Sequence, residues 1–379
     1  MNLSNKLFAQ MRAATRSLIR RGPSVARTVL HESIKNASAL HPAAHPTMSH
    51  DKSNAASNRA SHDPRSYDPF SDMLAGLSRL GQPGGNPFNV PPLSSGAAAI
   101  GLPGHFIDAS YTNDAGTRHY KLYVPSSYAG QPAALLVMLH GCSQHPDDFA
   151  LGTGMNALAE ESGCLVVYPA QSQGANASRC WNWFSAVDQR HGQGEPSIIA
   201  GLTRDIMARY VVDPGRVYVA GLSAGGAMAA IMGTLYPDLY AAVGVHSGLP
   251  FAAAHDLPSA MAAMQGDFRR QHVPGRQLPI IVFHGDRDTT VHPANGDELI
   301  QRRRRHPHEA VEIEPGQVPH GHAYTRTLHR RADGSVHAEH WVVHGSGHAW
   351  SGGDARGSYT DGKGPSASQA MMHFFRTAR

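Results

Sequence analysis

From residue 104 onward, short continuous apolar runs alternate with stretches of helical periodicity, and this pattern constrains the fold more than any other feature. The runs cover residues 119–124, 134–139, 164–168, 216–220, 242–246, 279–283 and 340–343. Several are apolar at successive rather than alternate positions, as expected of strands covered on both faces. Between them lie helical patterns such as 147–162, opened by an aspartate N-cap signal, and 224–236. The alternation predicts an α/β domain over residues 104–379, a mostly parallel, doubly wound sheet with helices on both sides.

Residues 1–103 read differently. From residue 36 the segment is rich in Ala, Ser, His, Asn, Pro and Gly without sustained periodicity, so it cannot bury enough to offset the entropy of ordering it. One exception is 70–80, where Met73, Leu74, Leu77 and Leu80 recur at helical spacing. Near the start, Leu3, Leu7, Met11 and Leu18 share one face of a helix with Arg12, Arg16, Arg20 and Arg21 around the other. Such a helix can settle on an apolar or anionic surface. A solvated tail is the plainer alternative, and the absence of acidic residues before Glu32 also fits a mitochondrial transit peptide. The arginines interrupt any apolar run, so no secretory signal is read here.

The net charge of +4 is small and spread out, which argues against a nucleic-acid binder. The run Arg302, Arg303, Arg304 and Arg305 reads as a solvated helix end. No apolar stretch reaches the ~18 residues a transmembrane helix needs. The 3 cysteines, Cys142, Cys164 and Cys180, cannot build a disulfide framework and show no zinc-type spacing.

Chemistry concentrates at Gly221-Leu222-Ser223-Ala224-Gly225, a G-x-S-x-G pentapeptide between a buried strand pattern and a small-residue helix. In that setting the serine occupies a sharp strand-to-helix turn that lifts its hydroxyl clear of the sheet, the arrangement of the α/β-hydrolase fold. That fold then requires an acid and a histidine, in that chain order. Asp288 is the acid expected, from the G-x-x-D-x-x-V spacing that begins at Gly285, with Asp286 as the alternative. Asp286 would otherwise bond loop amides. His348 is the base expected, between flanking glycines after a strand, with His344 as its rival at the strand end. The oxyanion of an acyl-transfer intermediate needs two N–H donors. These are expected from Ala224, which follows the nucleophile, and from Cys142 in the loop after the 134–139 strand.

With these segments identified, the chain resembles the polyhydroxybutyrate (PHB) depolymerase family of esterases. The likeness rests on Leu139-His140-Gly141-Cys142-Ser143-Gln144, Cys180-Trp181-Asn182-Trp183-Phe184, the serine pentapeptide with Gly226-Ala227-Met228, and Gly347-His348-Ala349-Trp350-Ser351-Gly352-Gly353. The resemblance implies an α/β-hydrolase fold without a large lid, and neither metal nor cofactor. It also suggests a Cys142–Cys180 disulfide tying the oxyanion loop to the tryptophan-rich loop. Trp181, Trp183 and Trp350 lie beside the site segments and are candidate substrate contacts, with loop packing as the alternative. The expected activity is hydrolysis of poly(3-hydroxybutyrate) or its oligomers. A feruloyl or acetylxylan esterase, and an inactive protein bound to the surface of PHB granules, are the alternatives. A cytoplasmic location is expected, with residues 3–21 holding the chain on such granules; secretion, as for many family members, is the alternative.

Overall fold

The computed structural model describes residues 101–268, 275–303 and 310–378. The amphipathic segment 3–21, the apolar positions within 70–80, and Arg304 and Arg305 of the basic run lie outside the described residues. Among the described residues ten strands form one sheet. They are β1 (His105–Asn113), β2 (Gly116–Val124), β3 (Ala133–Leu139), β4 (Leu165–Pro169), β5 (Val212–Leu222), β6 (Ala242–His246), β7 (Ile280–Gly285), β8 (Ala310–Gln317), β9 (Ala323–Arg330) and β10 (Val336–Val343). Their spatial order is β1-β2-β4-β3-β5-β6-β7-β10-β9-β8. The six strands from β4 to β10 in that order pair in parallel, and the flanking strands at either side are antiparallel. A doubly wound centre thus carries antiparallel extensions, β1-β2 at one edge and β9-β8 at the other.

The helices are α1 (Pro146–Thr153), α2 (Met155–Ser162), α3 (Gly194–Arg209), α4 (Ala224–Leu235), α5 (Leu257–Met264), α6 (Ala294–Gln301) and α7 (Ala367–Thr377). A short parallel pair, β11 (Trp350–Ser351) and β12 (Thr360–Asp361), follows β10. Side chains of the central strands alternate between two cores because successive residues of a strand point to opposite faces. Leu135, Val137 and Leu139 of β3 enter one core with α3 and α4, while Leu136 and Met138 enter the other with α2 and α7. Both faces are covered, so these strands read as unbroken apolar runs.

One expected element is corrected. The single helix predicted over 147–162 is two helices, α1 and α2, separated at Gly154, whose φ of 62° and ψ of 16° reverse the chain. Its N-cap is His145, whose ring nitrogen accepts from the Asp148 N–H, and not an aspartate. Asp147 and Asp148 instead occupy the first turn, where the helix dipole favours negative charge.

Candidate active site

β5 ends at Leu222 and α4 begins at Ala224, so Ser223 alone makes the reversal between them. Its backbone lies at φ 57° and ψ −120°; holding a non-glycine residue in such a region costs about 1–3 kcal/mol. The strain is supported from both sides. The Ser223 N–H donates to the His246 carbonyl, and its own carbonyl accepts from the Ala227 N–H, each at 2.9 Å. Glycine is required at the two flanking motif positions. A Cβ on Gly221 would strike the Gly225 backbone, and one on Gly225 would strike the Leu139 carbonyl. The end of β3 therefore runs against the turn, which brings the following loop to the serine: a Cβ on Gly141 would lie 3.6 Å from that of Ser223.

The loop of residues 140–144 is anchored along its length. Buried His140 donates from Nδ1 to the Gly141 carbonyl at 2.7 Å, and its Nε2 accepts from the Gln171 N–H at 3.0 Å. Burial lowers the His140 pKa to about 4, so the neutral ring this pattern requires is the form present at neutral pH. Buried Gln144 accepts from the Gly141 N–H at 2.9 Å and donates to Asp148 Oδ2 and the Ser358 carbonyl, both at 3.0 Å. Cys142 is bonded to Cys180 through sulfur. The amides of Gly141, Ser143 and Gln144 are all spent on acceptors. Those of Cys142 and Ala224 are engaged by no described residue. Ala224 opens α4, and the first amides of a helix lack intrahelical acceptors and carry the positive end of its dipole.

Beyond β7 the chain places two aspartates in different surroundings. The Asp288 side chain is fully buried, its Oδ2 lies 2.7 Å from His348 Nδ1, and its Oδ1 accepts from the amides of Thr290 and Val291 at 2.9 and 2.8 Å. Burial alone would raise its pKa. The charge of His348 and the hydrogen bonds from His284 and His348 outweigh that, and hold the carboxyl well below the usual range. An ionised carboxylate can only accept, so His348 Nδ1 carries a proton and donates to Asp288 Oδ2. His284 stands behind the pair, with Nε2 2.8 Å from the Val291 carbonyl and 3.4 Å from Asp288 Oδ2. The alternative acid and the alternative base bond to each other instead: Asp286 Oδ2 lies 3.0 Å from His344 Nδ1, in a largely exposed pair. Asp286 Oδ1 also accepts from the Gly345 N–H at 2.7 Å.

The structure joins Asp288 to His348 and sets the 140–144 loop against Ser223, but the Ser223 hydroxyl bonds to no described residue. For the three tryptophans, burial favours the loop-packing alternative over substrate contact. Trp181 and Trp350 are 0% and 1% exposed, and Trp183 is 4% exposed. Trp181 lies against His140; Trp350 packs edge-on to Phe149, stacks with His246 and donates to Ser368 Oγ at 3.0 Å. These rings fasten the site loops to the core. Sequence reasoning passed over His246, at the end of β6. Its carbonyl holds Ser223, and its Nε2 accepts from the Ser351 N–H at 2.9 Å. Nothing in the local pattern distinguishes it from the other histidines, because its role depends on a partner 105 residues away.

Residues 118–307 match the family model described as esterase PHB depolymerase. Poly(3-hydroxyalkanoate) depolymerase C of Paucimonas lemoignei is 32% identical over 252 residues, covering 62% of this chain and 59% of the relative. Feruloyl esterase B of Neurospora crassa is 30% identical over 199 residues, covering 48% of this chain and 67% of the relative. The chain thus spans about six tenths to two thirds of the length of these curated relatives. Among solved structures, the acetyl xylan esterase from Aspergillus awamori superposes with a TM-score of 0.57 at 21% identity, covering 73% of this chain and all of that one. That likeness places the described residues in the same fold.

Proposed function

The chain belongs to the esterase PHB depolymerase family, and on that premise we propose that it is a serine ester hydrolase acting on poly(3-hydroxybutyrate) or its oligomers. One observation carries the reading. A buried, ionised Asp288 bonds His348, and Ser223, on its strained turn, precedes the unspent Ala224 amide and lies against the loop that carries the unspent Cys142 amide. In the proposed reaction Ser223 Oγ attacks the ester carbonyl carbon and passes its proton to His348 Nε2, and Asp288 stabilises the imidazolium. The negative oxygen of the tetrahedral intermediate lies against the N–H groups of Cys142 and Ala224; loss of one such donor costs about 3 kcal/mol. The bond from the carbonyl carbon to the alcohol oxygen of the ester breaks as His348 protonates that oxygen, and the acyl part stays on Ser223. Water then gives a proton to His348, attacks the acyl-serine, and releases the acid while Ser223 regains its hydrogen.

The test is hydrolysis of amorphous poly(3-hydroxybutyrate), its dimers and trimers, methyl ferulate and p-nitrophenyl acetate by the purified chain. Release of 3-hydroxybutyrate at rates well above the others is the expected result. Activity on the ferulate or acetate esters alone would move the substrate to the second reading, a carbohydrate-linked ester, which the Neurospora relative's likeness supports. Ser223→Ala should lower kcat by about 10⁴-fold or more. Undiminished hydrolysis by that variant would sink the mechanism. A Cys142–Cys180 bond suits an oxidising compartment and so supports the extracellular location over the cytoplasmic one. Adsorption through residues 3–21 is compatible with either. No helix among the described residues is long and apolar enough to cross a membrane.

A further inference from the structure

A buried polar cluster underlies the loop that carries Cys180. Glu195, at the start of α3, is 4% exposed and receives hydrogen bonds only from donors. Its Oε1 accepts from Arg118 Nη2 at 3.2 Å, from Asn182 Nδ2 at 2.9 Å and from Gln171 Nε2; its Oε2 accepts from the Asn182 N–H at 2.7 Å. The partners pass the constraint on. Gln171 Nε2 also donates to the Cys180 carbonyl at 2.8 Å, and the Gln171 N–H bonds to His140 Nε2 at 3.0 Å. Asn182 Oδ1 accepts from Asn176 Nδ2 at 3.0 Å, and Asn176 Oδ1 accepts from the Cys180 N–H at 3.2 Å. Cys180 is therefore held at its carbonyl and at its amide by chains of hydrogen bonds that end on Glu195, and its sulfur is bonded to Cys142.

We propose that Glu195 is a positioning residue that sets the Cys142 amide for the oxyanion, acting through Gln171, Asn182 and the Cys142–Cys180 bond. The inference rests on the esterase reading above, which assigns that amide its role. Placement of such a donor matters because it stabilises charge only where the charge develops.

The groups facing Glu195 make the arrangement sensitive to pH. They are Arg118 from β2, Asp188 from the short 3-10 turn Val187–Gln189, whose Oδ1 accepts from the Glu195 N–H at 2.7 Å, and neutral His140 beyond Gln171. Burial first, and the nearby Asp188 second, push the Glu195 pKa up to about 7, against the bonds from Gln171 and Asn182 and the charge of Arg118. Because the folded value is raised above the ordinary 4.5, the folded chain holds a proton there between those two values that the unfolded chain has released. A protonated carboxyl would place a hydrogen among groups that all donate, so the network is complete above about pH 7 and comes apart below it.

The full-length chain, its Glu195→Gln variant and its Gln171→Met variant are compared on p-nitrophenyl butyrate across about pH 5.5–9. Glu195→Gln replaces one acceptor by an amide that donates. It should lower kcat at high pH by about tenfold, less than outright loss of an oxyanion donor, with KM within about twofold. The ratio of wild-type to variant kcat should fall toward about 1 below pH 7, because wild type then loses the same network. Any pH dependence common to both proteins cancels in the ratio. A ratio that does not change with pH, or a change in KM alone, would overturn the proposal. Gln171→Met keeps Glu195 on Arg118 and Asn182 but cuts the chain that ends on the Cys180 carbonyl, and tests the idea even if Glu195→Gln does not fold. Unchanged kcat in that variant would likewise overturn it. Wild type that cleaves no ester would instead remove the esterase reading on which both stand.

Discussion

Asp286 and Asp288 are two residues apart and each bonds a histidine, yet burial gives them different capacities. Asp288 has no exposed side-chain surface, while the Asp286 and His344 side chains are 36% and 42% exposed, where solvent screens their attraction. Only the buried pair can hold an imidazolium in a low dielectric. Asp288→Asn should therefore lower kcat by about 10³–10⁴-fold with little change in KM, whereas Asp286→Asn should change kcat by less than about threefold. Steady-state kinetics on one soluble ester decides this, and a larger loss from the Asp286 variant would reverse the assignment. The Asp288 pKa is depressed, so the stability its charge contributes is present above the ordinary 3.8 and is lost as pH falls below it. Loss of activity on acidification near neutral pH is therefore not expected from Asp288. At this scale the chain is partly legible: residue type and spacing single out Ser223, Asp288 and His348 as candidates. The hydrogen bonds of His246, Gln171 and Glu195 are invisible there, because each one's partners come from distant segments.

At the scale of elements, what could be read was whatever repeats locally. The continuous apolar runs of β3 and β6 announce strands covered on both faces. β8 and β9 do not, because β8 is largely exposed and both strands carry charge: Arg326 and Arg330 of β9 pair with Glu314 and Glu312 of β8, and Arg326 also with Glu339 of β10. Residues 147–162 have helical composition throughout, and only the left-handed backbone at Gly154 shows where one helix becomes two. The two readings of the tryptophans stay open in the sequence for a related reason. Proximity in sequence to His348 says nothing about which way a ring faces. Trp350 lies on β11 between Phe149 of α1, His246 of β6 and Ser368 of α7, so it ties four elements together. Trp350→Phe keeps most of the apolar contact but removes the N–H to Ser368, a loss of about 1 kcal/mol and a few degrees in Tm. KM for any ester should stay within about twofold of wild type. A variant of unchanged Tm and sharply raised KM would restore Trp350 as a substrate contact.

For the whole molecule, the chemistry assigned to the described residues acts on one ester bond at a time, and nothing in it distinguishes a soluble dimer from the surface of a solid polymer. That distinction calls for adsorption. Leu3, Leu7, Met11 and Leu18 recur at helical spacing among Arg12, Arg16, Arg20 and Arg21, a pattern suited to lying on an apolar surface with the charges turned outward. If residues 3–21 act so, their deletion leaves kcat and KM on p-nitrophenyl butyrate unchanged, since the proposed site lies within residues 140–348. The same deletion lowers release of 3-hydroxybutyrate from polymer particles by about tenfold or more, because burying even two or three leucine-sized side chains contributes several kcal/mol to adsorption. Adding salt separates the two faces of such a helix. Attachment through the arginines weakens as salt shortens the reach of charge, whereas attachment through the leucines persists. Equal loss on soluble and solid substrates would mean that the segment supports the fold. No loss on either would leave adsorption to the catalytic domain itself, with the surface around Ser223 as the place to look for it.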